Sequence, residues 1–303
     1  MSLITFNGKA LPPSRAFALD TSGNIFRDKF GRLSAAQWCE VLVKSIDSPV
    51  IDDVEFPGFP SREIQEQIHG SYGEGAIRDA ARIYTFLASK PFFRERAVPG
   101  SAFLDFGSGW GRIIRLFMRD FDLSRLVGFE PQRSICLVAR SLNPYISFIN
   151  GAYTPDKTLP ADWFDIAVGW SVLSHLPEEA AANWLEEMVR VLKPGGYCAF
   201  STWGKRFLDA LLKESDNLAQ GKEVHWYLER CIKAAGNIAE QRDRHSKGEF
   251  VFISDGLSKD FGLASFLHPI AVRRILQRRR IGLELLEFDD VSLAQDIVIF
   301  RRN

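Results

Sequence analysis

Residues 103–112, FLDFGSGWGR, constrain the fold of this chain more than any other stretch. An apolar run from Ala102 to Phe106, interrupted only by Asp105, leads into glycines at alternate positions, Gly107, Gly109 and Gly111, and then into IIRLFMRDF at helical spacing. This order predicts a buried strand, a tight turn and a helix start. Glycine suits such a turn because it reaches left-handed backbone conformations and lets a ligand lie against the main chain. A helix start would add free N–H groups and the positive end of a dipole. The spacing narrows the ligand. A dinucleotide turn reads G-x-G-x-x-G and seats a pyrophosphate, whereas this one reads D-x-G-x-G-x-G, with a carboxylate that repels pyrophosphate and suits a cationic or amino-bearing group.

Around the turn the chain alternates strand and helix, the pattern of a parallel sheet with crossover helices. Arg125 to Glu130, Ile146 to Asn150, Ile166 to Gly169 and Tyr197 to Thr202 read as strands. Gln132 to Ser141 and Pro177 to Leu192 read as helices, the second stopped by Lys-Pro-Gly-Gly. Glu130 closes its strand 19 residues after Gly111, where an acid can accept hydrogen bonds from both hydroxyls of a ribose.

These motifs together, D-x-G-x-G-x-G, the acid at 130, the segment WFDIAVGWSVLSHLP and the helix with its K-P-G-G end, resemble the class I S-adenosylmethionine (SAM)-dependent methyltransferases. The resemblance covers about residues 100–204 and 283–302. It implies a Rossmann-like, doubly wound seven-stranded α/β sheet with a terminal antiparallel strand, LELLEFDD and AQDIVIFRR supplying the last hairpin. It implies that Asp105, Gly107, Ser108, Gly109, Trp110 and Gly111 hold the methionine end of SAM and that Glu130 holds the ribose. Asn150, Gly151 and Ala152 would border the adenine, with Ala152 standing where many relatives carry an acid. Trp170 and Ser171 would face the sulfonium, whose charge suits an aromatic face. Where a general base is required, the candidates are His175, then His268, then Tyr72. The F-G-S-G-W-G-R and S-H-L-P turns and the late Gln295-Asp296 look most like bacterial stand-alone enzymes that act on small molecules or saccharides.

Residues 1–100 read as a helical and loop segment outside the glycine-turn unit and a candidate lid, with Tyr72 and Glu74 as lid residues. Within it, Thr5 to Leu33 reads as short extended pieces joined by turns, and helices are expected over AAQWCEVLVKSI, over SREIQEQIH and, in Gly70 to Lys90, after the glycines around Tyr72, with Ile77, Ala80, Ala81, Tyr84 and Leu87 on one face. Residues 101–204 make the SAM-binding core and 283–303 its last two strands. The roughly 80 residues of 205–282 exceed what a minimal domain of this class needs and read as a substrate cap. The cluster Arg273, Arg274, Arg278, Arg279 and Arg280 reads as a solvated helix end, with an anion clamp as the alternative.

Lys+Arg and Asp+Glu balance at 38 each, so no overall field favours nucleic acid or a membrane surface as partner. The four cysteines lie far apart, without metal-ligand spacing, and read as reduced thiols of a cytoplasmic protein. No metal site, signal peptide or membrane span is expected. The rival readings are a SAM-fold binding module or subunit of a larger assembly and, disfavoured by the turn, an NAD-dependent oxidoreductase. Oligomeric state leaves no mark in the sequence.

Overall fold

The computed structural model describes residues 5–6, 9–10, 23–258 and 260–303; the rest of the opening segment discussed above lies outside the described residues. The chain divides into two compact units, Met1–Gly151 and Ala152–Asn303.

In the first unit two short strands, β1 (Thr5–Phe6) and β2 (Lys9–Ala10), pair antiparallel. Helix α1 (Ile25–Phe30) follows, where short extended pieces are expected from sequence: Asn24 caps it by accepting from Arg27 N, and Phe26 and Phe30 are buried on one side. Helix α2 (Ala35–Lys44) begins with a capping box between Ser34 and Gln37. Strands β3 (Val50–Ile51) and β4 (Val54–Glu55) form a tight hairpin with Asp52 and Asp53 in left-handed conformation at its tip. Helices α3 (Arg62–His69), α4 (Gly73–Ser89) and α5 (Pro91–Arg96) come next. The face expected of α4, Ile77, Ala80, Ala81, Tyr84 and Leu87, is the face it buries.

Strands β5 (Phe103–Phe106), β6 (Leu126–Phe129) and β7 (Ser147–Ile149) run parallel, with α6 (Arg133–Leu142) between the last two. The α-helix expected directly after the glycine turn does not form. Residues 110–120 make turns and one 3-10 segment, Ile114–Phe117. The groups that would close the first α-turn are taken by side chains. Ile114 N donates to Asp105 Oδ2 (3.1 Å), Asn143 Nδ2 occupies Trp110 O (3.1 Å) and Arg115 Nε occupies Gly111 O (3.2 Å). Aromatic packing then holds the segment, with Phe103 stacked on Phe117 at 4.2 Å and Phe121 at 5.1 Å from Phe103.

Three arginines of this segment turn inward and tie it to the first hundred residues through oxygens that carry no charge. Arg112 donates to Ala76 O, Arg115 to Gly58 O, and Arg119 to Phe30 O, Leu33 O and the Tyr84 hydroxyl. The N-terminal helices therefore share one compact unit with the glycine turn.

The second unit opens with β8 (Phe164–Gly169) and α7 (Glu178–Val191). Strand β9 (Leu192–Thr202) starts at once after α7, because Lys-Pro-Gly-Gly is absorbed as a bulge between the pairs Phe164–Leu192 and Ile166–Tyr197. Helix α8 (Lys205–Ala219) follows. The next helical stretch breaks into α9 (Trp226–Ala235) and α10 (Ile238–Ser246), since Gly236 is left-handed and Asn237 caps the second piece. Strands β10 (Val251–Ile253) and β11 (Ala264–Phe266) pair antiparallel, and with α8 to α10 they enclose a small core of Leu208, Leu211, Cys231, Val251 and Phe266. Helix α11 (Pro269–Arg279) precedes the hairpin β12 (Leu283–Asp289) and β13 (Asp296–Arg302). Its arginines bind α7: Arg278 pairs with Glu178 (2.7 Å) and Arg279 with Glu179 (2.5 Å) and Glu186 (2.8 Å), so this cluster fastens two helices.

Seven strands form one mixed sheet in the order β12-β13-β9-β8-β5-β6-β7, with β13 antiparallel to both β12 and β9. This is the doubly wound α/β sheet with an antiparallel end expected from the sequence. All four cysteines are buried and unpaired. Among the described residues no helix is long and apolar enough to cross a membrane.

Candidate functional site

In the first unit the glycine turn lies at the carboxyl ends of β5 and β6. Gly107, Gly109 and Gly111 have φ of 77°, 54° and 89°, a region in which side chains are strained. Gly107 N and Ser108 N both donate to Phe129 O, which ties the turn to the end of β6. At Gly111 a Cβ would stand 2.9 Å from Phe148 Cζ and 3.1 Å from Asn143 Nδ2, so no side chain fits.

Glu130, the acid at the end of β6, is 8% exposed, and both its oxygens accept main-chain N–H groups: Oε2 from Gly109 (3.0 Å) and Oε1 from Gln132 (2.8 Å). Burial raises its pKa while these two bonds lower it. The carboxylate thus spans the turn and the strand end, and each oxygen keeps a second lone pair for a hydroxyl donor. Asn150 donates through Nδ2 to Glu130 O (2.8 Å) and Pro131 O (3.0 Å), which leaves its Oδ1 as the acceptor beside Gly151. At Gly151 a Cβ would meet the Phe129 ring at 2.3 Å, so glycine is required there.

Asp105, Trp110 and Ser108 of the turn are buried. Asp105 is 1% exposed and supports the turn from within by accepting from Ile114 N; burial pushes its pKa up to about 7. Trp110 is fully buried among Phe59, His69 and Arg115, whose guanidinium lies 4.5 Å from the indole. Ser108 Oγ turns inward too, 2.8 Å from where a Cβ on Gly128 would stand. The end of α3 lies on the turn: a Cβ at Gly109 would be 3.4 Å from Ile68 Cγ2 and 3.6 Å from His69 Cε1. Tyr72, at the start of α4, is 44% exposed, with the Arg62 guanidinium 4.0 Å from its ring centre.

In the second unit Ser171, left-handed at φ 59°, follows Trp170 at the carboxyl end of β8 and is the hub of a directed network. His175 Nδ1 faces Gly262 O at 3.2 Å; a carbonyl only accepts, so Nδ1 carries the proton and Nε2 the lone pair. Ser171 Oγ, 3.3 Å from that Nε2, donates to it and accepts from Gln295 Nε2 at 3.1 Å. Ser201 Oγ fixes the amide by donating to Gln295 Oε1 (2.5 Å), and receives Ser171 N at 2.7 Å. Burial lowers the His175 pKa, with hydrogen bonds to Gly262 and Leu263 opposing it, so the ring is a neutral proton acceptor. Beside Gly262, Phe261 stacks on Tyr153 at 5.9 Å, and both rings are more than 40% exposed (46% and 42%). His268 is engaged locally: it caps α11, its Nδ1 accepting from Ile270 N at 3.2 Å.

Sequence reasoning passed over three residues. His69 carries no motif, since the fold alone brings it to the turn, and Arg112 closes F-G-S-G-W-G-R without a role assigned to it. Asp156 folds back to accept from Ala152 N at 3.1 Å, which sets an acid at the position where Ala152 departs from the common pattern. Its signal was a nearby Asp in a Pro-containing loop. Among the described residues no group of three or more His, Cys, Asp and Glu side chains is placed to hold a metal ion.

Comparison with known proteins matches residues 103–196 to a family model described as a methyltransferase domain. No curated protein shows significant sequence similarity to the chain. Among solved structures, a SAM-dependent methyltransferase from Methanosarcina mazei is 16% identical, with 70% of this chain and 97% of that one aligned and a TM-score of 0.46. Magnesium protoporphyrin IX methyltransferase from Synechocystis PCC 6803 with bound S-adenosylhomocysteine (SAH) is 14% identical over 80% and 94%, at 0.48. A protein from Listeria monocytogenes titled a putative S-adenosylmethionine-dependent methyltransferase is 14% identical over 74% and 99%, also at 0.48. Likeness at this level says nothing about the acceptor.

Proposed function

We propose that this chain, whose residues 103–196 match a methyltransferase domain, is a class I SAM-dependent enzyme that transfers the SAM methyl group to a small-molecule or saccharide acceptor by in-line displacement. The observation that carries the reading is the joined pair of glycine turn and acid: a turn with three left-handed glycines, one of whose N–H groups is bound by Glu130 at the next strand end. The residues fit the cofactor. Glycine leaves the turn without side chains where the methionine end would lie, and Glu130 keeps acceptor capacity for two ribose hydroxyls.

SAM, when bound, supplies a methyl group on a positively charged sulfur. The chain's own part is alignment, which turns a bimolecular encounter into a step within one complex. Asn150 Oδ1, with Gly151 and Ala152, borders the adenine, and Asp156 is a further acceptor for its amine. Trp170 and Ser171 stay assigned to the sulfonium end on the strength of the resemblance. For a hydroxyl acceptor of low acidity, His175 Nε2 takes up the proton, since its tautomer puts the lone pair on that nitrogen, where it accepts from the Ser171 hydroxyl. His268 and Tyr72 follow in that order. Residues 205–282, with the exposed Tyr153–Phe261 pair, are proposed as the acceptor-selecting part; balanced charge argues against nucleic acid.

Calorimetric titration of the purified chain with SAM, SAH and NAD tests the reading. SAM and SAH are expected to bind in the micromolar range and NAD not at all. Glu130→Ala is expected to weaken SAH by roughly a hundredfold, as fits loss of two charge-assisted bonds. A folded chain that ignores SAM and SAH, or that takes NAD instead, would sink the proposal.

A further inference from the structure

Beside the glycine turn lie buried polar groups that no protein atom satisfies. Arg112 is 5% exposed, and while its Nη1 donates to Ala76 O at 3.1 Å, its Nε has no partner. No carboxylate among the described residues hydrogen-bonds it. Burial lowers its pKa to about 10, opposed by Asp79 and Asp105, so it stays charged at neutral pH. Asp105 offers little compensation, because its carboxyl is engaged by Ile114 N and is half protonated near pH 7.

His69 is the second group. Its ring stands over Gly109, with Nε2 3.9 Å from where a Cβ there would be, and that nitrogen is buried without a partner. Burial and then the charge of Arg112 hold it neutral, so Nε2 is free to carry an N–H. Ser71 Oγ, two residues along, is also buried and unpartnered. A buried cation with an open donor is costly unless an opposite charge arrives, and open donors on Arg112 of the turn, on His69 against it and on Ser71 two residues beyond His69 suit an anion with two oxygens.

We infer that Arg112, with His69 Nε2 and Ser71 Oγ, forms the seat for the carboxylate of the cofactor's methionine end. The inference rests on the SAM reading and adds to it the residues that distinguish an amino acid cofactor from a bare adenosyl thioether. It also gives the loop between α3 and α4 a role in cofactor binding.

The test is calorimetric titration of the full chain with SAH and with decarboxylated SAH, which keeps the amine and the nucleoside and lacks only the carboxylate. The wild type is expected to prefer SAH by roughly ten- to a hundredfold, the usual range for charge-assisted hydrogen bonds. Arg112→Gln is expected to remove most of that preference by weakening SAH alone, with decarboxylated SAH unchanged. Because Arg112 is buried, circular dichroism checks the variant's fold. Should it fail to fold, His69→Gln and Ser71→Ala carry the test, each reducing the preference severalfold. Equal wild-type affinity for the two ligands overturns the inference, as do variants that weaken both ligands alike or leave the preference intact. Binding of neither ligand by folded wild type overturns the SAM reading itself and the inference with it.

Discussion

Trp38→Ala is expected to lower the unfolding free energy by roughly 3–5 kcal/mol, the range for removing a large buried aromatic side chain. Trp38 is fully buried, with ring centres of Phe30 at 5.6 Å, Phe56 at 6.1 Å and Phe26 at 6.4 Å. Its Nε1 also donates to Leu116 O at 2.8 Å, inside the irregular segment that follows the glycine turn. Truncation leaves a cavity among rigid rings and a buried carbonyl without its donor, which places the loss toward the upper end. Trp38→Phe keeps most of the ring volume and removes the donor, so it should cost much less, about 1–2 kcal/mol. Guanidinium unfolding reads both as midpoint shifts at constant slope. A loss below about 1.5 kcal/mol for the alanine variant would mean that this cluster does not hold the segment. Since small domains have only about 5–15 kcal/mol in total, the full effect should also loosen the turn and weaken SAH.

The second large effect concerns pH. Asp105 has a folded-state pKa of about 7, against an ordinary 3.8, chiefly through burial. The folded chain therefore keeps this proton over a range in which the unfolded chain has released it. Its favourable contribution is complete below about pH 4 and is lost as pH rises through about 7, by on the order of 4 kcal/mol at most. Asp120 and Asp296, each raised by burial to about 6, act in the same direction, so the wild-type curve alone cannot assign the effect. Asp105→Asn isolates it, because the amide oxygen can still accept from Ile114 N and no charge forms. Without cofactor, the stability of Asp105→Asn relative to wild type should rise from pH 4 to pH 8. Parallel curves for the two proteins would show that Asp105 titrates normally.

Much of the scaffold could be read from periodicity, because strand and helix faces are local. The buried face of α4 and the apolar runs of β5, β6, β8 and β9 follow directly from residue spacing. The misses came where distant side chains compete with local backbone bonds. IIRLFMRDF has helical spacing, yet Asn143, 33 positions from Trp110, takes the carbonyl that a helix would use. Lys-Pro-Gly-Gly reads as a stop, and α7 does end there; what spacing does not show is that the stretch is also a bulge in β9, because β8 pairs on both sides of it. At the candidate site, Glu130 was visible from its distance to the glycines. Asp105 and Trp110 read as ligand groups from their place in the motif, and spacing alone does not show that both side chains are buried. His69 belongs to a helix some 40 residues before the turn and has no motif to reveal it.

The inward arginines bear on how far the chain can be trimmed. Arg112, Arg115 and Arg119 meet main-chain carbonyls of residues 30, 33, 58 and 76, and backbone atoms are indifferent to side-chain replacement. The first hundred residues can thus change much of their sequence and keep these anchors, provided their path is kept. Deleting them is another matter. A fragment starting at residue 101 would strip three guanidinium groups of acceptors in a single cut, and the glycine turn would lose the upstream part of the compact unit to which it belongs.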